Sequence, residues 1–421
     1  MNIYKNIGIA APEILLPKEG TDLSKWAVIA CDQYTSEPKF WLTADELVGE
    51  DRSALRLILP EYYLPVESEE QKEVRLKNIK ASAERYLEEG VFRTLPAGFI
   101  LTDRSTSLHP SRKGLMLAVD LEAYSFRPED KALVRATEGT VLERIPPRVK
   151  IRSNSPLELP HVMLLIDDPE GKVIETAWKK AEEQNLAPVY DTDLMQDCGH
   201  IKGVFVADDS DIASGIRAGL EALLSSSGDD LLFLVGDGNH SLASAKAYWE
   251  SVRETLPEEQ KADHPARFAL VEVVNIHDKG LDFEPIHRVV LGVNQSEYLR
   301  KLNAGLGDRL ASEENGQSFI VVGGEGSSDI RVSLKNPPHS LAVGTCDAVN
   351  KELGFDNVDY IHGEDSLREL SKENNTGIML PPISKDTFFE TVARDGIFPR
   401  KTFSMGEAFE KRFYLEARLI K

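Results

Sequence analysis

Cysteine is scarce in this chain of 421 residues, and Cys31, Cys198 and Cys346 stand too far apart for a zinc-ligand pattern or a Cys-x-x-Cys redox pair. An odd count does not suit a disulfide framework either, so a reducing compartment, the cytoplasm, is expected. The opening Met-Asn-Ile-Tyr-Lys-Asn-Ile-Gly has neither the apolar core nor the cleavage site of a secretory signal. No apolar run approaches the roughly 18 residues that span a bilayer, which argues against a membrane partner. Positive charge is also in short supply. Against 70 Asp and Glu there are 49 Lys and Arg, and the net charge of −21 repels nucleic acid and anionic lipid. Any phosphate site must then be a local exception. Finally, the sequence contains no His-Glu-x-x-His, nucleophile elbow or dinucleotide fingerprint, so the usual hydrolase and dehydrogenase readings lose their best support.

The remaining composition, 41% apolar and 28% charged, is that of a globular protein with length for two or three domains. Apolar strand-like runs alternate with helical patterns, which gives an α/β (α+β) fold class. Residues 26–31 read as a buried strand before the polar loop 32–38, and residues 69–89 as a helix with Val74, Ile79, Ala81, Tyr86 and Leu87 on its apolar side. Residues 114–120 and 268–275 read as strands, and residues 161–176 as a hairpin around Asp168-Pro-Glu-Gly171. That hairpin makes a turn role for Asp167 and Asp168 preferable to a magnesium pair. The polar cluster from Pro257 to His264 marks a boundary, so the expected portions are 1–108, 109–262 and 263–421.

One stretch carries the most chemistry. The apolar run Leu231-Leu-Phe-Leu-Val235 stops at Gly236-Asp-Gly-Asn-His-Ser241 and hands over to a helical pattern. Gly236 and Gly238 permit close backbone approach, Asn239 or Ser241 can cap the helix, and a helix N-terminus offers N–H groups to a phosphate. Asp237 could hold a metal and His240 could donate to an oxygen. The alternative is ordinary turn chemistry with an ordinary cap.

Two basic segments stand out in so acidic a chain. Arg144, Arg148, Lys150 and Arg152 fall within nine residues, either as an anion-recognition island or as a solvated extended segment pairing with Glu143 and Glu158. The stretch containing Arg400, Lys401 and Thr402 fails the Walker pattern, because no second glycine precedes the lysine. Lys401 can still reach a phosphate as a point charge, the other reading being a turn that closes the last helix and strand. His287, in Pro285-Ile-His-Arg288, reads as a structural histidine near a strand edge.

The ordered set Cys31-Asp-Gln-Tyr-Thr-Ser-Glu-Pro38, Val134-Arg-Ala-Thr-Glu138-Gly-Thr140, Gly236-Asp-Gly-Asn-His-Ser241, Pro285-Ile-His-Arg288 and Pro399-Arg-Lys-Thr-Phe-Ser404 resembles the bacterial family named domain of unknown function 1015. Its glycine motif is similar to the Asp-Gly-His-His-Arg signature of the ParB/sulfiredoxin-like superfamily, whose members include free L-serine kinases. The resemblance implies a ParB/sulfiredoxin-like central domain with flanking N- and C-terminal α/β portions. It also implies transfer of phosphate from ATP or ADP, with Mg²⁺, to a small hydroxyl substrate, L-serine being favoured. On that basis Glu138 takes the hydroxyl proton, and Asp237 and His240 hold phosphate and metal, as catalytic residues. Gly236, Gly238, Asn239, Ser241, Arg144, Arg148, Arg152, Lys401 and Thr402 supply phosphate contacts. This chain departs from the signature at Thr137, Asn239 and Ser241, which replace His, His and Arg. The lost arginine removes one phosphate clamp, so a non-catalytic nucleotide- or phosphate-binding regulator stands as the alternative. A ParB-like role on DNA is disfavoured by the acidic balance and by the lack of a helix-turn-helix signal.

Overall fold

The computed structural model describes residues 1–311, 316–324, 327–372 and 374–421, with the side chain of Arg144 outside that description. The fold is mixed α/β, as the alternating pattern predicts. The chain forms two compact units. The first comprises residues 1–136, 140–281 and 407–421, and the second comprises residues 137–139 and 282–406.

An eleven-stranded mixed sheet organises the first unit. Its strands are β1 (Asn2–Tyr4), β2 (Ile9–Ala11), β3 (Gly98–Ser105), β4 (Arg112–Asp120), β5 (Tyr124–Ser125), β6 (Val134–Ala136), β7 (Met163–Ile166), β8 (Pro188–Asp193), β9 (His200–Ala207), β10 (Phe233–Asp237) and β11 (Phe268–Asn275). The main path runs β8-β9-β3-β4-β11-β7-β10-β6-β5, with β2 pairing β4 and β1 pairing β2. The pairs β11–β7, β10–β6 and β6–β5 are parallel. Central strands read as continuous apolar runs because both faces are covered. Alternate residues of β4 divide between the faces: Leu115, Leu117 and Val119 join one core cluster and Met116 the other. The first face is covered by the helices Ile174–Glu183, Asp211–Ser226 and Asn239–Arg253, which contribute Ile174, Trp178, Ile216, Leu242 and Trp249. The second is covered by the N-terminal segment, including Trp26, Trp41 and Tyr86, and by Phe413 and Tyr414.

Several local readings are corrected. The segment after β7 is not a hairpin: a turn leads into the helix Ile174–Glu183. The Asp168 carboxylate accepts the Val173 N–H at 2.8 Å, and Ile174, Ala177, Trp178 and Ala181 repeat at helical spacing. Residues 26–31 give only the short strand Val28–Ile29, because Asp22 caps a helical turn over Leu23–Trp26. The basic island is a helix, Ile145–Asn154, whose two prolines sit in the first turn where their missing N–H groups cost nothing. In the charged helix Glu69–Glu88, Ile79, Ala83 and Tyr86 are buried and Val74 is exposed. The units also do not follow a division at 108 and 262. β11 lies inside the first sheet, paired with β4 and β7, so the chain stays in this unit through Leu281.

The second unit holds a six-stranded antiparallel sheet. Its long strand, Phe283–Leu291, carries Arg288, whose guanidinium meets Asp347 at 2.9 Å and the carbonyls of Ile286 and Lys401 at 2.8 Å. His287 is buried there and accepts the Leu380 N–H at 3.2 Å, a structural contact.

Several charges buried in the first unit are matched by opposite ones. Arg412 bridges Glu272 and Glu416, Tyr190 donates to Glu416 at 2.5 Å, and Arg418 and Arg152 both meet Glu158. Removing one partner strands an ion in the core, so Arg412→Ala should lower unfolding stability by about 3–5 kcal/mol in urea titration. Burial pushes the Glu158 and Glu272 carboxyls up, but Arg152 and Arg418, and Arg412 and Arg112 respectively, outweigh it and hold both below the usual range. A depressed folded value makes the stabilisation complete above the unfolded value of about 4.3 and progressively lost as pH falls through the folded value. Stability should therefore decline in this acid range, and Glu158→Gln should flatten the decline.

Candidate functional site

The buried run Leu231–Val235 brings β10 to its end at Asp237, where Gly238 turns the chain with φ +83° into the helix Asn239–Arg253. A Cβ on Gly238 would lie 3.0 Å from the Val162 backbone, so both conformation and space require glycine. Gly238 is itself the N-cap and no side chain caps the helix, which corrects the expected capping by Asn239 or Ser241. The Asp237 carboxylate accepts the Gly238 N–H at 2.9 Å through Oδ1, and its Oδ2 pairs with Lys411 Nζ at 3.2 Å. His240 accepts the Val141 N–H at 3.1 Å through Nε2.

Ser241 faces a cavity of about 160 Å³ in the first unit. Its hydroxyl lies 2.7 Å from His161 Nε2, and His161 Nδ1 lies 2.6 Å from the Tyr414 hydroxyl. The helix Ile145–Asn154 packs against the helix Asn239–Arg253, so Arg148 and Arg152 line the same cavity as Ser241 and Ser244. Both guanidiniums already have carboxylate partners there: Arg148 pairs with Glu61, and Arg152 with Glu158 at 2.5 Å. Burial dominates at Glu61 and raises its carboxyl above the ordinary range despite Arg148. Asp32 goes the other way: burial raises it, but His161, the Gln33 hydrogen bond and Lys411 together bring it below the ordinary range. Burial pushes the Cys31 thiol up to about 12, so it stays protonated at neutral pH.

Glu138, Lys401 and Thr402 belong to the second unit. Glu138 Oε1 accepts the Thr402 N–H at 3.2 Å, and Glu138 forms a parallel bridge with Phe398. The Thr402 hydroxyl donates to the Pro399 carbonyl at 2.6 Å, and Thr402 is buried. Lys401 is exposed with φ +53°, its ammonium 5.4 Å from the Tyr360 ring centre. Arg144's side chain lies outside the described residues.

Sequence reasoning did not single out His161, Tyr414, Lys411 or Glu61, and it assigned no role to Asp32. Asp32 lies in the quoted motif after Cys31, and Lys411 and Tyr414 lie in a charge-rich terminal stretch, Glu410-Lys-Arg-Phe-Tyr-Leu-Glu-Ala-Arg418. Neither signal points to the glycine turn until the chain is folded.

The chain is similar to several solved structures. A free serine kinase variant in complex with AMP is 10% identical, with 72% of this chain and 92% of that chain covered and a TM-score of 0.38. SbnI with a C-terminal truncation from Staphylococcus aureus is 10% identical over 69% of this chain and 82% of that one, with a TM-score of 0.36. A conserved hypothetical protein from Pyrococcus furiosus is 11% identical over 73% and 95%, with a TM-score of 0.33. No curated protein matches the sequence. The family model described as Protein of unknown function (DUF1015) matches residues 15–354, most of the sequence, and the chain belongs to that family.

Proposed function

We propose that turn 236–241 holds the phosphates of ATP or ADP and that the protein transfers a phosphoryl group to a small hydroxyl compound, with L-serine favoured by the sequence resemblance. The observation that carries this reading is the left-handed Gly238 at a strand end, opening a 15-residue helix with Asp237 and Lys411 paired at its start. A phosphate there gains the positive end of the helix dipole and the backbone N–H groups of the first turn. Lys411 supplies the point charge that Ser241, in place of the signature arginine, does not. Arg148 and Arg152 already face Glu61 and Glu158, so the main phosphate cation is assigned to Lys411.

Mg²⁺ fits as a metal carried in with the nucleotide. Among the described residues Asp237 belongs to no trio of protein ligands, and a single carboxylate with phosphate and water oxygens is the usual magnesium arrangement. When bound, the ion neutralises phosphate charge. Asp237 is the protein group that would meet it, once Lys411 has shifted to the phosphates. Glu138 remains the proposed proton acceptor on the strength of the resemblance. The non-catalytic reading is favoured by one observation, that Glu138 Oε1 is already engaged by the Thr402 amide.

Titration calorimetry with MgATP and MgADP should show saturable binding, and mass spectrometry should detect O-phosphoserine when free serine is present. Failure of both removes the phosphate reading. Lys411→Ala should weaken nucleotide binding about 10- to 100-fold, the equivalent of one lost hydrogen bond to a charged group, and Asp237→Asn should reduce the dependence on Mg²⁺. Glu138→Gln should keep binding while cutting turnover by roughly 10²–10⁴, as for a positioned acid–base group. Binding without turnover in the unaltered protein would select the regulator instead.

A further inference from the structure

Ser241, His161 and Tyr414 form a connected chain of side chains to which the nucleotide reading, built on the backbone of the turn and on Lys411, gives no role. Ser241 Oγ is 2.7 Å from His161 Nε2, and His161 Nδ1 is 2.6 Å from the Tyr414 hydroxyl. The Tyr414 oxygen also accepts the Cys31 N–H at 3.2 Å. In the tautomer that carries its proton on Nδ1, His161 donates to the same Tyr414 oxygen. His161 Nε2 then accepts from Ser241. A hydroxyl, a base and a group that orients the base are thus in hydrogen-bond sequence, the arrangement that activates a serine nucleophile.

The surroundings suit proton transfer. Asp32 and Glu61 are carboxylates that interact electrostatically with His161, and Lys411 acts on Asp32 and Arg148 on Glu61 as the neighbouring cations. Ser241 stands in the first turn of its helix, whose dipole favours negative charge developing beside it. The adjoining cavity decides the electrophile. Its charges cancel as Arg148 with Glu61 and Arg152 with Glu158, and much of the rest is apolar, including Leu57, Leu64 and Ile151. A neutral group fits such a wall better than a phosphoanhydride. A cavity of about 150 Å³ accepts benzene, so the present one, about 160 Å³, sets a comparable limit on the acyl group.

We propose that Ser241 is a nucleophile toward small neutral carboxylic esters, with His161 as general base and Tyr414 as the positioning residue. The Ser241 oxygen forms a bond to the carbonyl carbon while its proton passes to His161 Nε2 and the carbonyl π pair moves to oxygen. On collapse the carbon–alkoxy bond breaks, and the His161 proton leaves with the alcohol. Water then adds in the same way, releasing the carboxylic acid and restoring Ser241.

The test uses the full chain without nucleotide or metal, so it is independent of the phosphotransfer reading. A fluorophosphonate should form one adduct, located by peptide mass spectrometry at Ser241, and p-nitrophenyl butyrate should be hydrolysed. Ser241→Ala should abolish both. His161→Gln should slow labelling by roughly 10²–10⁴ with unchanged thermal unfolding. Tyr414→Phe should move the pH midpoint of labelling, which loss of packing alone would leave in place. If Ser241→Ala does not fold, the adduct position and the His161→Gln rate still decide. No adduct at Ser241, an adduct elsewhere, or parental labelling in His161→Gln overturns the proposal.

Discussion

The segment from Lys411 to Arg418 is held by side chains whose partners lie far back in the sequence, and the first unit depends on that attachment. Lys411 meets Asp237, Arg412 meets Glu272, Tyr414 meets His161, Glu416 meets Tyr190 and Arg418 meets Glu158. Backbone pairing supports them, since Phe413 and Tyr414 pair with Ile29 and Val28, and Leu419 pairs with Leu157. Several of these ions are fully buried, where an unpaired charge costs several kcal/mol. The segment cannot leave without exposing the core to that cost, so it acts as a fixed strap. The same strap delivers Lys411 to the glycine turn and Tyr414 to His161.

Two kinds of electrostatic environment consequently meet on the helix Asn239–Arg253. At its start, Asp237 and Lys411 form a partly accessible pair beside the first turn of the helix. At Ser241 and Ser244, charges cancel pairwise in a partly apolar cavity, a setting suited to a neutral group. The distinction rests on which residues have already found partners. The sequence leaves Arg148 and Arg152 open between anion recognition and pairing with nearby Glu143 and Glu158. In the folded unit their charge is spent on Glu61 and Glu158.

Much of the fold was legible where one physical signal dominated. The runs at 114–120 and 268–275 became strands because continuous apolar residues must be covered on both faces. The glycine turn was legible because Gly238 is needed both for positive φ and for its approach to Val162. The readings at 26–31, 144–152 and 161–176 went astray where a local hydrogen bond or proline placement overrode composition: Asp22 caps a helical turn, Asp168 accepts the Val173 N–H in the turn before a helix, and Pro146 and Pro147 fit a helix start.

The sequence by itself determined the α/β alternation, the acidic field, the strand-to-helix junction at Asp237 and Gly238, and membership of a family defined by ordered motifs, because each is a property of neighbouring residues or of the whole composition. Tertiary structure alone decided which charges were neutralised and which side chains joined the turn. Asp237 and Lys411 are 174 residues apart (411 minus 237), and His161 and Tyr414 are separated by 253. Contacts over such distances follow from sheet order and from the requirement that buried charge be paired, and neither is written in local periodicity.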